Sequence, residues 1–136
     1  MPVLSLDEIR SLCHQAVASV GASEQQAAAV ALEIMDAEAE GIRNVGLGYI
    51  HLYLKQLKSG KILGKAVPEV DSPSGVITRV DAGYGFCHTA YLAGEELLIG
   101  SAKNHGMGMM AIHRSSSAGV LGWFVRRLAQ QGLVGL

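Results

Sequence analysis

The chain has 136 residues, the usual size of one domain, and is 49% hydrophobic against 17% charged, which is too apolar for a disordered segment. A net charge of -1, with no basic stripe and few aromatics, excludes a nucleic-acid partner. No run of about eighteen uncharged apolar residues is present to cross a membrane. Asp7 and Glu8 stand where a signal peptide would need a basic and then an apolar region. Cys13 and Cys87 are isolated, so a reduced, cytoplasmic setting is expected.

Ser5 and Glu8 have the S-x-x-E form of a capping box. Leu6, Ile9, Leu12, Cys13, Ala16, Val17 and Val20 then recur at helical spacing, with Gly21 as the stop. Ser23 and Gln26 form a second box, opening an alanine-rich helix to about Glu40 whose apolar face carries Val30, Ile34 and Ala37. Its alanines allow close helix packing. A loop rich in glycine follows, then a third helix from about Leu47 to Lys58, closed by Gly60.

Residues 61–75 hold Pro68, Ser72, Pro73, Ser74 and Gly75 and read as an extended connection. Residues 75–81, GVITRVD, alternate and are β-branched, which predicts a strand. A turn at Asp81–Gly85 leads to a helix from about Cys87 to Lys103 and a second strand from Met107 to His113. Ser115–Gly119 is a loop and Leu121 to Gln131 a helix. Residues 132–136, GLVGL, read as the start of a third strand. Helices followed by strand–helix alternation define an α/β protein. The expected division is a helical region at 1–65 and a sheet region at 66–136. The last strand reads as unfinished, so the sequence looks like the front portion of a longer protein, with apolar helix faces lacking their covers.

No dinucleotide-binding G-x-G-x-x-G is present: Gly83-Tyr84-Gly85 and Gly46-Leu47-Gly48 both lack the third glycine. These glycines read as turns or close packing. The serine loop offers hydroxyls and amides at a helix start, suited to a carboxylate or phosphate; plain capping of that helix by Ser116 or Ser117 is the simpler use. The histidines are scattered, with no metal-ligand spacing, so no metal site is expected. His14 reads as a helix-surface residue, and His88 as a capping or surface residue able to donate to a ligand. His51 and His113 lie beside loops that look functional. Tyr49 could act as a general acid and Arg43 could grip a carboxylate; each also suits an ordinary packing or solvated role.

The segment AEAEGIRNVGLGYIHLYLKQLKSGKI resembles the malate/L-lactate dehydrogenase family, the type 2 lactate dehydrogenase-like oxidoreductases. Gly41, Gly46, Tyr53, Leu57, Gly60 and Ile62 fall on the family pattern G-x-x-S-H-G, arginine, tyrosine, L-x-x-G-x-I. Val80-Asp81-Ala82-Gly83-Tyr84-Gly85 is similar to its V-D-G-x-x-G, and RSSSAGVLGWFVRRLAQQGLVGL to its N-S-x-H-F-G run. The resemblance implies an NAD- or NADP-dependent enzyme that interconverts 2-hydroxy and 2-keto acids. It implies a nicotinamide-binding mixed sheet that is not a Rossmann fold, a cytoplasmic homodimer, and members more than twice this length.

The departures bear on mechanism. The family's S-H-G histidine falls on Val45, with Asn44 for the serine; the following arginine falls on Tyr49, and the second histidine on Ser117. Valine cannot move a proton. The expected replacements are Tyr49 and His51 for proton transfer, with Arg43, Asn44, Ser115, Ser117 and Gly119 for substrate or cofactor. The alternative is a non-enzymatic fragment or degenerate subunit that pairs with a full-length partner.

Overall fold

The computed structural model describes residues 3–136. Helix α1 (Leu6–Ser19) starts with the expected capping box: the Ser5 hydroxyl accepts from the Glu8 amide, and the Glu8 carboxylate accepts from the Ser5 amide at 2.7 Å. Helix α2 (Glu24–Ala39) is capped by Ser23, whose hydroxyl accepts from the Gln26 amide at 3.3 Å. Gln26 does not close a second box. Its side chain is fully buried and turns inward, donating to the Ala66 carbonyl at 2.7 Å and accepting from the Phe86 amide at 2.9 Å and the Thr89 hydroxyl at 3.1 Å. One amide thus satisfies groups from three places that would otherwise be buried without partners.

A 3-10 turn over Leu47–Tyr49 leads into helix α3 (Ile50–Lys58). The helical core interleaves Ile9, Cys13 and Val17 with Ala27, Val30, Ala31 and Ile34, and closes against Tyr53, Leu57, Ile62 and Phe86. Each large apolar side chain buried there contributes about 1.5–3 kcal/mol. Burial pushes the Cys13 thiol up to about 11, and the Cys87 thiol is also buried and raised.

The sheet has three strands in the order β1 (Glu69–Ser74), β2 (Ile77–Asp81), β3 (Met109–His113). Strands β1 and β2 are antiparallel, with Val70 opposite Val80, while β2 and β3 are parallel, with Val80 opposite Ile112. Helix α4 (Cys87–His105) makes the crossover between the parallel strands. It lies so close to the sheet that a Cβ at Gly94 would stand 2.8 Å from Val80 and 2.9 Å from Met110. Helix α5 (Leu121–Ala129) buries Trp123 against Tyr91 and Leu98.

The third strand is β1, not the chain end. Strand β1 is an exposed edge carrying Pro73 and serines, so neither alternation nor burial marks it in the sequence. Residues 132–136 form no strand among the described residues. The Leu133 amide donates to the Leu128 carbonyl at 3.1 Å, and Gly135 lies against Val125 and Leu128, so the segment folds back along α5. No helix is long and apolar enough to cross a membrane among the described residues.

Candidate functional site

The serine loop is fixed at both ends. At its start, Arg114 (φ 50) and Tyr84 (φ 64) both adopt the left-handed backbone that non-glycine residues avoid. The Tyr84 amide donates to the Arg114 carbonyl at 2.6 Å, the Arg114 Nε donates to Asp81 at 2.8 Å, and the guanidinium lies 5.4 Å from the Tyr84 ring centre. The Arg114 hydrogen bonds, with the Gly83 amide, pull the Asp81 carboxyl down to about 2. The Ser116 amide donates to the Gly85 carbonyl at 3.1 Å, and its hydroxyl accepts from the Cys87 amide at 3.3 Å. Ser116 therefore caps α4 rather than α5, and α5 begins with no side-chain cap.

At its far end, the loop rests on two buried ionisable side chains. His88 Nε2 donates to the Ala118 carbonyl at 2.9 Å, and Glu33 Oε1 accepts from the Val120 amide at 3.0 Å. The two side chains are fully buried and 3.8 Å apart. Among the described residues, Glu33 Oε2, His88 Nδ1 and the Tyr53 hydroxyl have no hydrogen-bond partner. Burial raises Glu33 to about 7, with the nearby Asp36 charge adding to the rise and the Val120 amide opposing it. Burial lowers His88 to about 4. The cluster sits in an aromatic cage: the His88 ring stacks on Phe124 at 5.8 Å and meets Trp123 edge-on at 5.6 Å and Tyr53 at 6.4 Å. His88 is thus neither a cap nor a surface residue. It follows buried Cys87 and precedes buried Ala90 and Tyr91 on the inner face of α4, where desolvation favours the neutral ring.

The other sequence candidates occupy two segments. Arg43 and Asn44 are exposed in the turn after α2, and Val45 is half-buried beside them. Tyr49 is half-buried, its ring edge-on to Tyr53 at 5.0 Å, while His51 is exposed on the first turn of α3. Ser115 and Ser117 are exposed, and Gly119 is half-buried at φ 64. Tyr53 links the segments, standing edge-on to Tyr49 on one side and His88 on the other. His14 is half-buried, with Nε2 at 2.9 Å from Glu24. Sequence reasoning passed over Glu33 and gave Tyr53 a place on the family pattern but no part in the site. The signal for Glu33 was its place on the apolar stripe of α2, three residues after Val30 and four before Ala37.

The chain thus combines a helical front, a mixed three-stranded sheet and a polar loop over two buried ionisable side chains. Residues 4–136 match the malate/L-lactate dehydrogenase family, and the chain belongs to it. It is 37% identical over 134 residues to the (2R)-3-sulfolactate dehydrogenase (NADP(+)) of Chromohalobacter salexigens, covering 98% of this chain and 40% of that one. It is 33% identical to a Delta(1)-pyrroline-2-carboxylate/Delta(1)-piperideine-2-carboxylate reductase of Pseudomonas putida, over 95% of this chain and 38% of the relative. The crystal structure of the delta1-piperideine-2-carboxylate reductase from Pseudomonas syringae superposes with a TM-score of 0.94 at 32% identity, over 97% of this chain and 40% of that one. The chain spans about two-fifths of the length of these relatives.

Proposed function

We propose that this chain is the helical and first-sheet portion of a nicotinamide-dependent oxidoreductase that interconverts 2-hydroxy and 2-keto acids. It works in the cytoplasm as a homodimer or beside a full-length partner subunit. The observation that carries this reading is the family match over residues 4–136, with the family's tyrosine, Tyr53, buried between the two candidate segments. The exposed hydroxyls of Ser115 and Ser117, and the α5 start that has no side-chain cap, fit one polar edge of NAD or NADP. When bound, that group supplies or accepts the hydride. Arg43 and Asn44, exposed in the turn after α2, would bind the substrate carboxylate. Tyr49, or His51 two residues on, holds the proton that the carbonyl oxygen takes up.

A second reading concerns the reacting bond. Neither Val45 nor Ser117 can act as an imidazolium acid. A cyclic imine next to a carboxylate takes its proton from water before hydride arrives, so it needs no such acid. Reduction of C=N therefore suits these replacements, and relatives of this chain include reductases of that kind.

The test is NADH or NADPH oxidation by the purified chain with a panel of 2-keto acids and cyclic imine 2-carboxylates. Tyr49→Phe and His51→Ala follow in the same assay. A loss of about 100-fold on keto acids in either variant is the expected size for a proton donor. Unchanged turnover in both ends the assignment of these two residues. No turnover with any substrate leaves the non-enzymatic subunit as the better account.

A further inference from the structure

Helix α2 meets both candidate segments, and it meets them in the same way. In the first, the Leu47 amide donates to Glu38 Oε1 at 2.7 Å, and a Cβ on the preceding Gly46 would collide with that oxygen and stand 2.9 Å from Glu38 Cδ. In the second, the Val120 amide donates to Glu33 Oε1 at 3.0 Å, and a Cβ on the preceding Gly119 would stand 2.6 Å from that oxygen. Each contact is a glycine laid against a carboxyl group, with the next amide pinned to the same oxygen. A side chain at either glycine would hold the backbone off.

The two amides stand where helices begin without caps of their own. Leu47 opens the 3-10 turn that runs into α3, and Val120 is the N-cap residue of α5; no side chain within either segment caps these starts. Neither amide has a backbone acceptor among the described residues. The carboxyl groups of α2 therefore supply, from another element, the acceptors that helix starts need. Glu33 is fully buried and Glu38 half-buried. They lie five residues apart on one helix, about 7.5 Å along its axis. The segment held by Glu38 carries Arg43, Asn44 and, just past Leu47, Tyr49. The segment held by Glu33 carries Ser115 and Ser117, and His88 holds it a second time through the Ala118 carbonyl. Helix α2 is itself tied to the start of α4 by Gln26 and to α5 by the 2.9 Å bond from Trp123 Nε1 to Asp36.

We propose that Glu33 and Glu38 are positioning residues, and that their spacing on α2 sets the separation between the substrate-binding and cofactor-binding halves of the site. What each half binds rests on the oxidoreductase reading; the anchoring of the two segments does not. Glu38 holds Arg43, Asn44 and Tyr49 in place for the 2-keto acid, and Glu33 holds Ser115 and Ser117 in place for the nicotinamide cofactor. Neither carboxyl touches a reacting atom. Each acts on one ligand through one pinned amide.

The experiment is residue-resolved amide hydrogen exchange on the 136-residue chain, with Glu38→Ala, Glu33→Ala and the corresponding glutamine variants. Glu38→Ala should speed exchange at the Leu47 amide by about 10-fold or more and leave Val120 as it was; Glu33→Ala should do the opposite. Glutamine keeps an acceptor oxygen and should keep most of the protection. Wild-type exchange at both amides in the alanine variants overturns the anchoring, and so does an equal loss in both segments from either variant. Should Glu33→Ala not fold, the first segment decides. Gly46→Ala drives the Glu38 carboxyl away by contact alone, so it should match Glu38→Ala, and the double variant should exchange no faster than either. Additive effects overturn the proposal. In a preparation that turns over pyruvate with NADPH, Glu38→Ala should raise the KM for pyruvate about 10-fold and spare that for NADPH, and Glu33→Ala the reverse, with glutamine restoring both. Equal rises in the two KM values, or a fall in kcat alone, overturn the division of labour. Localised exchange without turnover of pyruvate or any other acid of the panel would sink the oxidoreductase reading and leave the anchoring standing. Turnover with both KM values unmoved would sink the positioning and leave the oxidoreductase reading standing.

Discussion

The helical front and the sheet differ in how completely they bury their apolar surface. In the front, small alanines on α2 let α1 approach closely, and side chains such as Val17, Val30 and Ile34 are wholly covered. The sheet is covered on one face, where Thr78, Val80, Met110 and Ile112 meet α4 and α5. Its other face carries Arg79, Met109, Ala111 and His113 in the open, and Leu121 and Val134 are 72% and 91% exposed. All-parallel sheets are covered on both faces, whereas the parallel β2–β3 pair of this mixed sheet is covered on one. The front meets its packing requirement from within these residues, and the sheet does not.

Three variants test that contrast, in falling order of effect. Trp123→Ala should cost about 3–5 kcal/mol in urea unfolding, because Trp123 is the largest fully buried side chain and joins α5 to α2 and α4. A cost below 1 kcal/mol would mean that α5 is only loosely attached. Gly94→Ala should cost about 1–3 kcal/mol by pressing a methyl group into Val80, Met110 and Thr78. A neutral result would show that the sheet is free to move away from α4, sharpening its difference from the front. The smallest effect belongs to Asp81→Asn. The folded carboxyl sits at about 2 against an ordinary 3.8, so its pairing with Arg114 supports the fold above about pH 4 and is lost as pH falls through 2. The variant should flatten that acid limb; an unchanged limb would show that the pair contributes nothing to the loop.

The helices were legible because their signals are local. Ser5, Ser23, Gly21 and Gly60 mark ends, and the apolar spacing marks faces. Strand β1 was hidden because its order comes from pairing with β2, not from its own residues, all of which are exposed. The GLVGL run misled in the opposite way, with strand-like composition and no neighbouring strand to pair with. The loop half of the site was visible as three serines and a glycine. The buried half was not, since Glu33 reads as an ordinary polar residue of a helix and Gln26 as half of a capping box until the Val120, Phe86 and Ala66 backbones are brought over them by contacts 40 to 87 residues apart. The family resemblance supplied the frame and placed the absent histidines, and the structure added what lies beneath one of the vacated positions.

The two cysteines give these regions separate clocks. Cys13 lies within the α1–α2 interface and Cys87 at the start of α4, and both thiols are buried and hard to ionise. Only the thiolate is alkylated, so each residue reacts when its own surroundings open. Mass-resolved labelling of the native chain would time the loosening of each half without a probe being added.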